Sequence, residues 1–500
     1  MTAVAGPAPD PRRWRALAVC LSAMFMTLLD VSIVAVALPS IGRGIGARPA
    51  ELQWVVSGYA LAFGMVPIIG GRLGDDRGRK RMLLLGIAGF VVCSAAVGLA
   101  PLPGILIAAR VLQGLSGGLI NPQVSGLLQQ LFPLDERGRA FGAMGTVVGV
   151  STAAGPVFGG LIIAAGGDHL GWRLCFLVNV PVGIAAFVLC RAWLPDAPRR
   201  DTVRSLDLPG AALLAIGVAG LLFPAVEYDA NHDLRLALLV IPALGVLAGF
   251  VWWERGPGRR RGHPLIDVAL FRIRSFADGI GLGVLFFCAY TGTPLVLALF
   301  LQEGLGFSAL HSGLTASSYA IGSAVSAPVG GRLVSRVGRQ VVVAGLALFA
   351  VGVAGAGIVA MLTAGHSSPT AVALIMAGPL FVAGLGGGSV LTPNQTLSLA
   401  DVNVRGGSTA GGVLQTGQRI GNAIGAAVIT AVFYAAASTA PNALGAARQE
   451  HYGRSYAMAL SVSVVFAVAA LALAVRDVRR TRTERDDLER RQWAAISAVD

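Results

Sequence analysis

Apolar runs of about 20 residues recur along the whole chain, and they constrain the fold more than any other feature. Each run is long enough to cross about 30 Å of hydrocarbon as a helix. Charged residues make up 13% of the chain, against about 25% in an average soluble protein. The mean hydropathy is +0.70. The sequence predicts fourteen such spans and therefore an all-α polytopic membrane protein.

The net charge of +13 could suit nucleic acid, but the distribution of the charges argues against such a partner. If the predicted spans alternate in direction, most of the 39 basic residues fall on one side. This pattern predicts that both termini are cytoplasmic. The densest basic cluster, at 254–264, fits contact with anionic lipid headgroups better than contact with DNA.

Asp30 lies within an apolar stretch at 24–39. A carboxylate near the centre of a bilayer costs about 2.5–3.5 kcal/mol, and such residues are functional candidates by default. Proton coupling requires a group that changes its charge, which arginine does not do in proteins. Asp30 is therefore the predicted proton-coupling residue, and Arg110 is its candidate partner. The alternative for Arg110 is a structural role, with hydrogen bonds to backbone carbonyls.

Several polar and aromatic residues within the spans are candidates for the substrate cavity, although one sequence does not show which side chains face it. They are Thr27, Trp54, Tyr59, Gln113, Asn121, Gln123, Gln395 and Arg419. Arg419 could instead tie two neighbouring helices together. With Asp30 as the only deep carboxylate, neutral or monovalent cationic substrates are expected over divalent cations.

The chain contains an internal repeat. The segments GGRLGDDRGRK (70–80) and GGRLVSRVGRQ (330–340) share six of eleven residues at an offset of 260. The segment at 70–80 follows span 2, and the segment at 330–340 follows span 10. This placement predicts two six-helix halves separated by two additional spans. The predicted units are an N-terminal bundle (1–194), two additional helices with flanking loops (195–275), a C-terminal bundle (276–475) and a charged tail (476–500).

Several motifs resemble those of the major facilitator superfamily. GRLGDDRGRK (71–80) resembles its signature loop, LIAARVLQGLSGG (106–118) its arginine motif and AGPVFGG (154–160) its exporter motif. LDVSIVAVALP (29–39) and LQTGQRIGNAIG (414–425) resemble the fourteen-helix drug:proton antiporter branch. Further stretches that resemble this branch lie at 52–61, 172–183 and 263–271.

The resemblance implies two six-helix bundles with two additional helices, and proton-coupled export of small drug-like or antibiotic molecules across the bacterial cytoplasmic membrane. The resemblance also implies that the protein is a monomer without cofactor or metal. Its partners would be the substrate, protons and lipid. Proton-coupled uptake and uncoupled facilitated diffusion of a small metabolite are the alternatives, and the exporter motif favours export. An enzyme is not expected, because the six histidines fall in loops or near span ends.

The signature loop supplies the first set of predicted conformational residues, Gly71, Asp75, Gly78 and Arg79. Gly78 would form a tight turn, and Asp75 would accept hydrogen bonds from nearby donors or from a helix N-terminus. In the family this contact helps to hold one of two conformations closed. The alternative is a simple topology anchor. Asp76 stands where the family usually has a basic residue.

The exporter motif supplies the second set, Gly155, Pro156 and Gly159. Small residues let helices approach closely in lipid, and a proline within the same stretch predicts a hinge. Static packing of the glycines is the alternative. Ser151 stands where this motif usually has a glycine.

Overall fold

A computed structural model describes residues 11–195, 207–231, 238–256, 264–439 and 444–496, and the regular structure within these ranges is helical. The helices, numbered in chain order, are α1 (Arg13–Ile45), α2 (Pro49–Met65), α3 (Pro67–Arg77), α4 (Arg79–Gly98), α5 (Pro103–Leu131), α6 (Leu134–Leu177), α7 (Asn179–Trp193), α8 (Leu208–Asn231), α9 (Val240–Arg255), α10 (Arg274–Leu299), α11 (Ala309–Val337), α12 (Gln340–Thr363), α13 (Pro369–Ser398), α14 (Gly407–Ala437) and α15 (Gly445–Ile496).

Ten helical segments in the described ranges are long and apolar enough to cross a membrane, and the bent pair α2–α3 makes an eleventh. The all-α polytopic architecture is thus confirmed, whereas the number fourteen stays a prediction. The apolar part of α8 is short (Leu208–Pro224), and α9 has 16 residues. α11 has 29 residues, but serine, threonine and glycine make it less apolar than its neighbours.

Two breaks in the helices follow from single residues. α2 and α3 meet at 45°, with Pro67 at the first position of α3, where a missing N–H costs no helical hydrogen bond. α6 contains Gly167 at φ 67°, ψ −179°, a conformation that glycine tolerates because it lacks a Cβ. The break at Gly167 ends one candidate span, and His169–Trp193 forms the next.

Helices within each half approach one another at glycines. A Cβ added at Gly114 of α5 would lie 2.5 Å from the Tyr59 carbonyl oxygen of α2. In the second half, a Cβ at Gly352 of α12 would overlap the backbone of Ala383 on α13. Such small residues compensate for the weak hydrophobic driving force between helices in lipid.

The additional helices α8 and α9 pack on each other, with Gly220 of α8 against Ala243 of α9. On its other side, α8 contacts α2 and α14. The ring of Phe223 on α8 lies 6.2 Å from the ring of Trp54 on α2. Tyr59, on another face of α2, packs instead against α5. α8 therefore lies against a side of α2 that faces away from the first bundle.

The two halves meet at the end of the bundle where α1 begins and α15 ends, which we call the terminal face. There Gly138 of α6 and Gly331 of α11 approach so closely that a Cβ at either would overlap the other's carbonyl oxygen. The same two helices remain in contact up to Gly149 and Ala324. From Leu134 to Gly149, α6 rises about 22 Å at 1.5 Å per residue. The terminal face is therefore closed over much of the depth of a bilayer.

Candidate functional site

A buried hydrogen-bond network surrounds Asp30 in the middle of α1. Arg110 Nη1 of α5 donates to Asp30 Oδ2 at 2.6 Å. Asp30 Oδ1 accepts from Asn179 Nδ2 at 2.7 Å and from Gln113 Nε2 at 3.1 Å. Gln113 Nε2 also donates to Ser94 Oγ at 2.8 Å. One carboxylate thus holds α1, α5 and α7 together, with α4 attached through Gln113.

Arg110 is fixed by more than its carboxylate partner. Its Nε donates to the Val55 carbonyl oxygen of α2 at 3.1 Å, and its Nη1 donates to Gln113 Oε1 at 2.8 Å. The guanidinium carbon lies 4.2 Å from the centroid of the Tyr59 ring and 5.6 Å from that of Phe176. Both distances are in the range of cation–π interactions, in which the aromatic ring attracts the positive charge.

The side chains of Asp30 and Arg110 are each 1% exposed. Desolvation of two charges is expensive, and removal of one partner from a buried pair costs about 3–5 kcal/mol because the other charge is left uncompensated. The pair is therefore stable only as a unit. A proton on Asp30 would remove the charge to which Arg110 is bound.

The helices account for part of this geometry. Gln113 follows Arg110 by three residues on α5, so the two side chains share one face. Asn179 is the first residue of α7. Thr27 lies one turn before Asp30, and its hydroxyl donates to the Met24 carbonyl oxygen at 2.8 Å. The sequence analysis missed Asn179 and Ser94, although Asn179 is a lone amide in the apolar stretch 172–183.

A second site lies at the terminal face, where Asp75 of α3 meets the first turn of α14. Asp75 Oδ1 accepts from Ser408 N at 3.2 Å, and Asp75 Oδ2 accepts from Thr409 N and Thr409 Oγ1 at 2.8 Å each. A carboxylate at a helix N-terminus satisfies free backbone N–H groups and interacts favourably with the helix dipole. Asp75 therefore links the first half to the second.

Arg79 strengthens this contact. Its Nη2 donates to Asp75 Oδ1 at 2.8 Å, and the same nitrogen donates to the Val404 carbonyl oxygen of the second half. Its Nη1 donates to the Gly126 carbonyl oxygen at 2.6 Å and to Gln130 Oε1 at 3.2 Å. One guanidinium thereby joins α4, α5 and the segment before α14.

The remaining residues of the signature loop set its backbone. Gly71 faces the Ser408 carbonyl oxygen so closely that a Cβ would overlap it. Gly78 has φ 100°, ψ 125°, which favours glycine. Asp76, which departs from the family pattern, forms an ion pair with Arg72 at 3.0 Å.

The exporter motif lies where α6 crosses α1, beside the Asp30 network. A Cβ at Gly155 would overlap the side chain of Ser32, whereas a Cβ at Gly159 would make an ordinary 3.4 Å contact with Ile33. The helical backbone continues through Pro156, whose side chain lies outside the described part of the structure. α6 therefore contacts α1 two residues from Asp30 and contacts α11 at the terminal face.

The predicted cavity residues lie in different places. Gln123 Nε2 donates to the Gly70 carbonyl oxygen at 2.7 Å and ties α5 to α3. Gln395 Nε2 of α13 donates to Ser125 Oγ of α5 at 3.3 Å, across the two halves. Asn121 is buried, and its Oδ1 has no hydrogen-bond partner among the described residues.

Arg419 of α14 lies apart from the Asp30 network. Its guanidinium carbon is 4.5 Å from the centroid of the Phe63 ring of α2, so the contact crosses from one half to the other. Phe63 in turn stacks on Tyr59, with centroids 5.7 Å apart and planes at 22°. In the described ranges, no group of three or more His, Cys, Asp or Glu side chains could hold a metal ion.

A helical membrane bundle that closes at one face and buries an ion pair in one half has the architecture of a secondary transporter. The sequence matches the model of the Major Facilitator Superfamily over residues 20–426 and 279–498. The chain belongs to this superfamily.

Relatives and solved structures agree with this assignment. The chain is 37% identical to the "Probable actinorhodin transporter" of Streptomyces coelicolor, over 86% of this chain and 74% of the relative. It is 33% identical to the "Puromycin resistance protein pur8" of Streptomyces alboniger, over 96% and 94%. The crystal structure of the human organic anion transporter MFSD10 superposes with a TM-score of 0.63 at 16% identity, over 92% of this chain and 100% of that one. The last likeness shows the fold alone.

Proposed function

We propose that this protein exports small drug-like or antibiotic molecules from the bacterial cytoplasm in exchange for protons. The observation that carries the proposal is the carboxylate of Asp30, buried in the middle of α1 and held by Arg110, Gln113 and Asn179. Family membership and relatives named for antibiotic transport and resistance support export.

The coupling step follows from the network. When Asp30 is charged, it binds Arg110 and holds α1 against α5 and α7. When Asp30 takes up a proton, the attraction to Arg110 falls and the three helices are less tightly held. Because Gly155 packs α6 against α1 near this point, a change at Asp30 reaches the helix that closes the terminal face.

The terminal face would be the cytoplasmic one, as the distribution of basic residues predicts. In this state the cytoplasmic side is closed by Asp75 at the start of α14 and by the glycine contact of α6 with α11. Loss of the Asp30–Arg110 attraction would favour the state in which this closure opens. The proton would enter from outside and leave inside as the substrate moves the other way.

The transporter would reside in the cytoplasmic membrane as a multi-pass monomer with both termini in the cytoplasm. The proton-motive force would drive transport, and no cofactor would be needed. The partners would be the substrate, protons and lipid. The protein would carry no catalytic residue and would bind no nucleic acid. The predicted units (1–194, 195–275, 276–475 and 476–500) would form two bundles, an additional helix pair and a tail.

The test is transport in inverted membrane vesicles that contain the protein, with actinorhodin and puromycin among the compounds. We expect uptake into the vesicles when they are acidified inside, and loss of uptake when a protonophore collapses the gradient. Vesicles from cells without the protein are the control. Uptake that is unaffected by the protonophore would contradict proton coupling, and absence of uptake across a broad panel would contradict export.

A further inference from the structure

Arg419 is a cation in the interior without an acidic partner. In the described part of the chain it makes no ion pair and no hydrogen bond, and its contact is with the face of Phe63. The side chain is half-buried. A guanidinium that loses part of its hydration and regains no acceptor is destabilising, so this arrangement indicates a role for the unused donors.

The carboxylate that could neutralise Arg419 is already engaged. Asp30 is 1% exposed and accepts from Arg110, Gln113 and Asn179. Asp75 is likewise bound by Arg79 and by the start of α14. Among the described residues, Arg419 is thus a positive charge at the contact between the halves that has no acidic partner. Because Asp30 is occupied by Arg110 in this state, an anion at Arg419 is an alternative to the neutral or monovalent cationic substrates that the sequence predicts.

The surroundings of Arg419 hold its guanidinium in place and leave its donors to a ligand. Phe63 is 4% exposed, with Tyr59 stacked on its ring and Arg419 over its face. The ring therefore positions the guanidinium by a cation–π contact, which uses none of its N–H donors. One turn before Arg419 on α14, Gln415 Oε1 and Thr416 Oγ1 are buried and have no hydrogen-bond partner among the described residues. These oxygens can accept from a hydroxyl group of a ligand.

We propose that Arg419, above Phe63, binds the acidic group of a substrate, so that the transporter prefers organic anions that carry a carboxylate or phenolate. The proposal rests on the proposed function and names its substrate class. The guanidinium supplies paired N–H donors to the anion, the Phe63 ring positions the guanidinium, and Gln415 supplies an acceptor for a hydroxyl.

The test is equilibrium binding to the purified protein in lipid nanodiscs, with two dyes that share a three-ring frame. Fluorescein is an anion at neutral pH, and tetramethylrhodamine methyl ester is a cation. We expect the wild-type protein to bind fluorescein about ten-fold more tightly or better, because a charge-assisted hydrogen bond forms only with the anion. Equal affinities, a preference for the cation, or no binding of fluorescein would each overturn the proposal.

Two substitutions assign the preference to Arg419. Arg419→Gln should remove the preference for fluorescein while leaving the affinity for the rhodamine ester within about three-fold, and Arg419→Lys should retain part of the preference. Melting temperature and size-exclusion profile show whether each variant is folded. A preference that survives in a folded Arg419→Gln variant would contradict the assignment. Because binding needs no gradient, failure of export would leave this result standing.

Discussion

The two halves differ in the chemistry that they place at equivalent positions of the repeat. The 260-residue offset carries Asp30 to Tyr290. Asp30 binds Arg110, whereas the hydroxyl of Tyr290 pairs with that of Ser323 at 3.2 Å, and its ring lies 5.3 Å from that of Tyr319. A carboxylate can exchange its proton under physiological conditions, and a tyrosine does not. The proposed proton coupling therefore involves Asp30 of the first half and is not expected at Tyr290 of the second.

The repeated loop differs between the halves in the same way. Asp75 binds the first turn of α14, but the equivalent residue of the second copy is Ser335, whose hydroxyl donates to the carbonyl oxygen of Arg332 on its own helix. Arg79 reaches the second half, whereas its counterpart Arg339 forms an ion pair with Asp477 of α15 at 2.5 Å. At the terminal face, the first copy of the loop therefore contacts the other half through charged hydrogen bonds, which we call the charged gate. The second copy contacts the other half through the packing of Gly331 on α6, which we call the glycine gate.

The largest effect is expected at Asp30. Asp30→Asn keeps hydrogen-bonding capacity but removes the titratable charge, so accumulation of substrate in inverted vesicles should fall to the level seen without a proton gradient. Asp30→Glu, which keeps the carboxylate, should retain part of the activity. Insertion of both variants is checked by their amount in the membrane. Gradient-driven accumulation by Asp30→Asn would show that coupling does not require Asp30.

The glycine contacts at the terminal face should come next. An alanine at Gly71 or at Gly138 places a Cβ against a backbone carbonyl oxygen of the other half. Overpacking of this kind costs about 1–3 kcal/mol, which corresponds to a loss of the closed population of about five-fold to a hundred-fold. Distances between spin labels at Asp135 and Arg336, exposed on α6 and α11, measure the closure.

Gly160→Ala is the matched control for these variants, since a Cβ at Gly160 meets nothing within 4 Å. It should leave the distance distribution unchanged. If Gly71→Ala opens the terminal face and Gly138→Ala does not, the charged gate alone maintains closure. If neither opens it, the account of closure by glycine contacts is wrong.

A smaller effect is expected at Asp75. Asp75→Asn removes the charge at the start of α14 and weakens its bond with Arg79, which should cost about 1–2 kcal/mol in the closed state. The open population should therefore rise several-fold in the same spin-label measurement. Ser335→Ala, at the equivalent position of the second copy, should change nothing. Equal responses of the two variants would argue that the gates do not differ.

The smallest effect is expected at Tyr290. Tyr290→Phe removes the hydrogen bond with Ser323, worth about 1 kcal/mol, and leaves the ring in place. The ratio of protons to substrate moved should be unchanged, and KM should stay within about five-fold, since 1 kcal/mol corresponds to about a five-fold change. A changed proton ratio would mean that the second half also handles protons.

The charged residues of the candidate site could be predicted from the sequence, whereas most of their contacts could not. Asp30 and Arg110 stand out because charge is rare within apolar spans, and Gln113 shares a helix face with Arg110. Asp75 stands out because its loop (71–80) resembles the signature motif of the family. Asp75 was expected to accept from a helix N-terminus, but which helix depends on how the halves meet. The contact of Arg419 with Phe63 likewise joins residues far apart in the chain, so local pattern does not predict it.

The most direct test of the account is proton movement driven by substrate in proteoliposomes. A pH-sensitive dye inside the vesicles reports protons while the best-transported compound of the vesicle panel moves down its gradient. We predict that the wild-type protein moves protons against the direction of the substrate, and that Asp30→Asn exchanges substrate without moving protons. Proton movement by Asp30→Asn at the wild-type rate would contradict the claim that Asp30 couples the cycle.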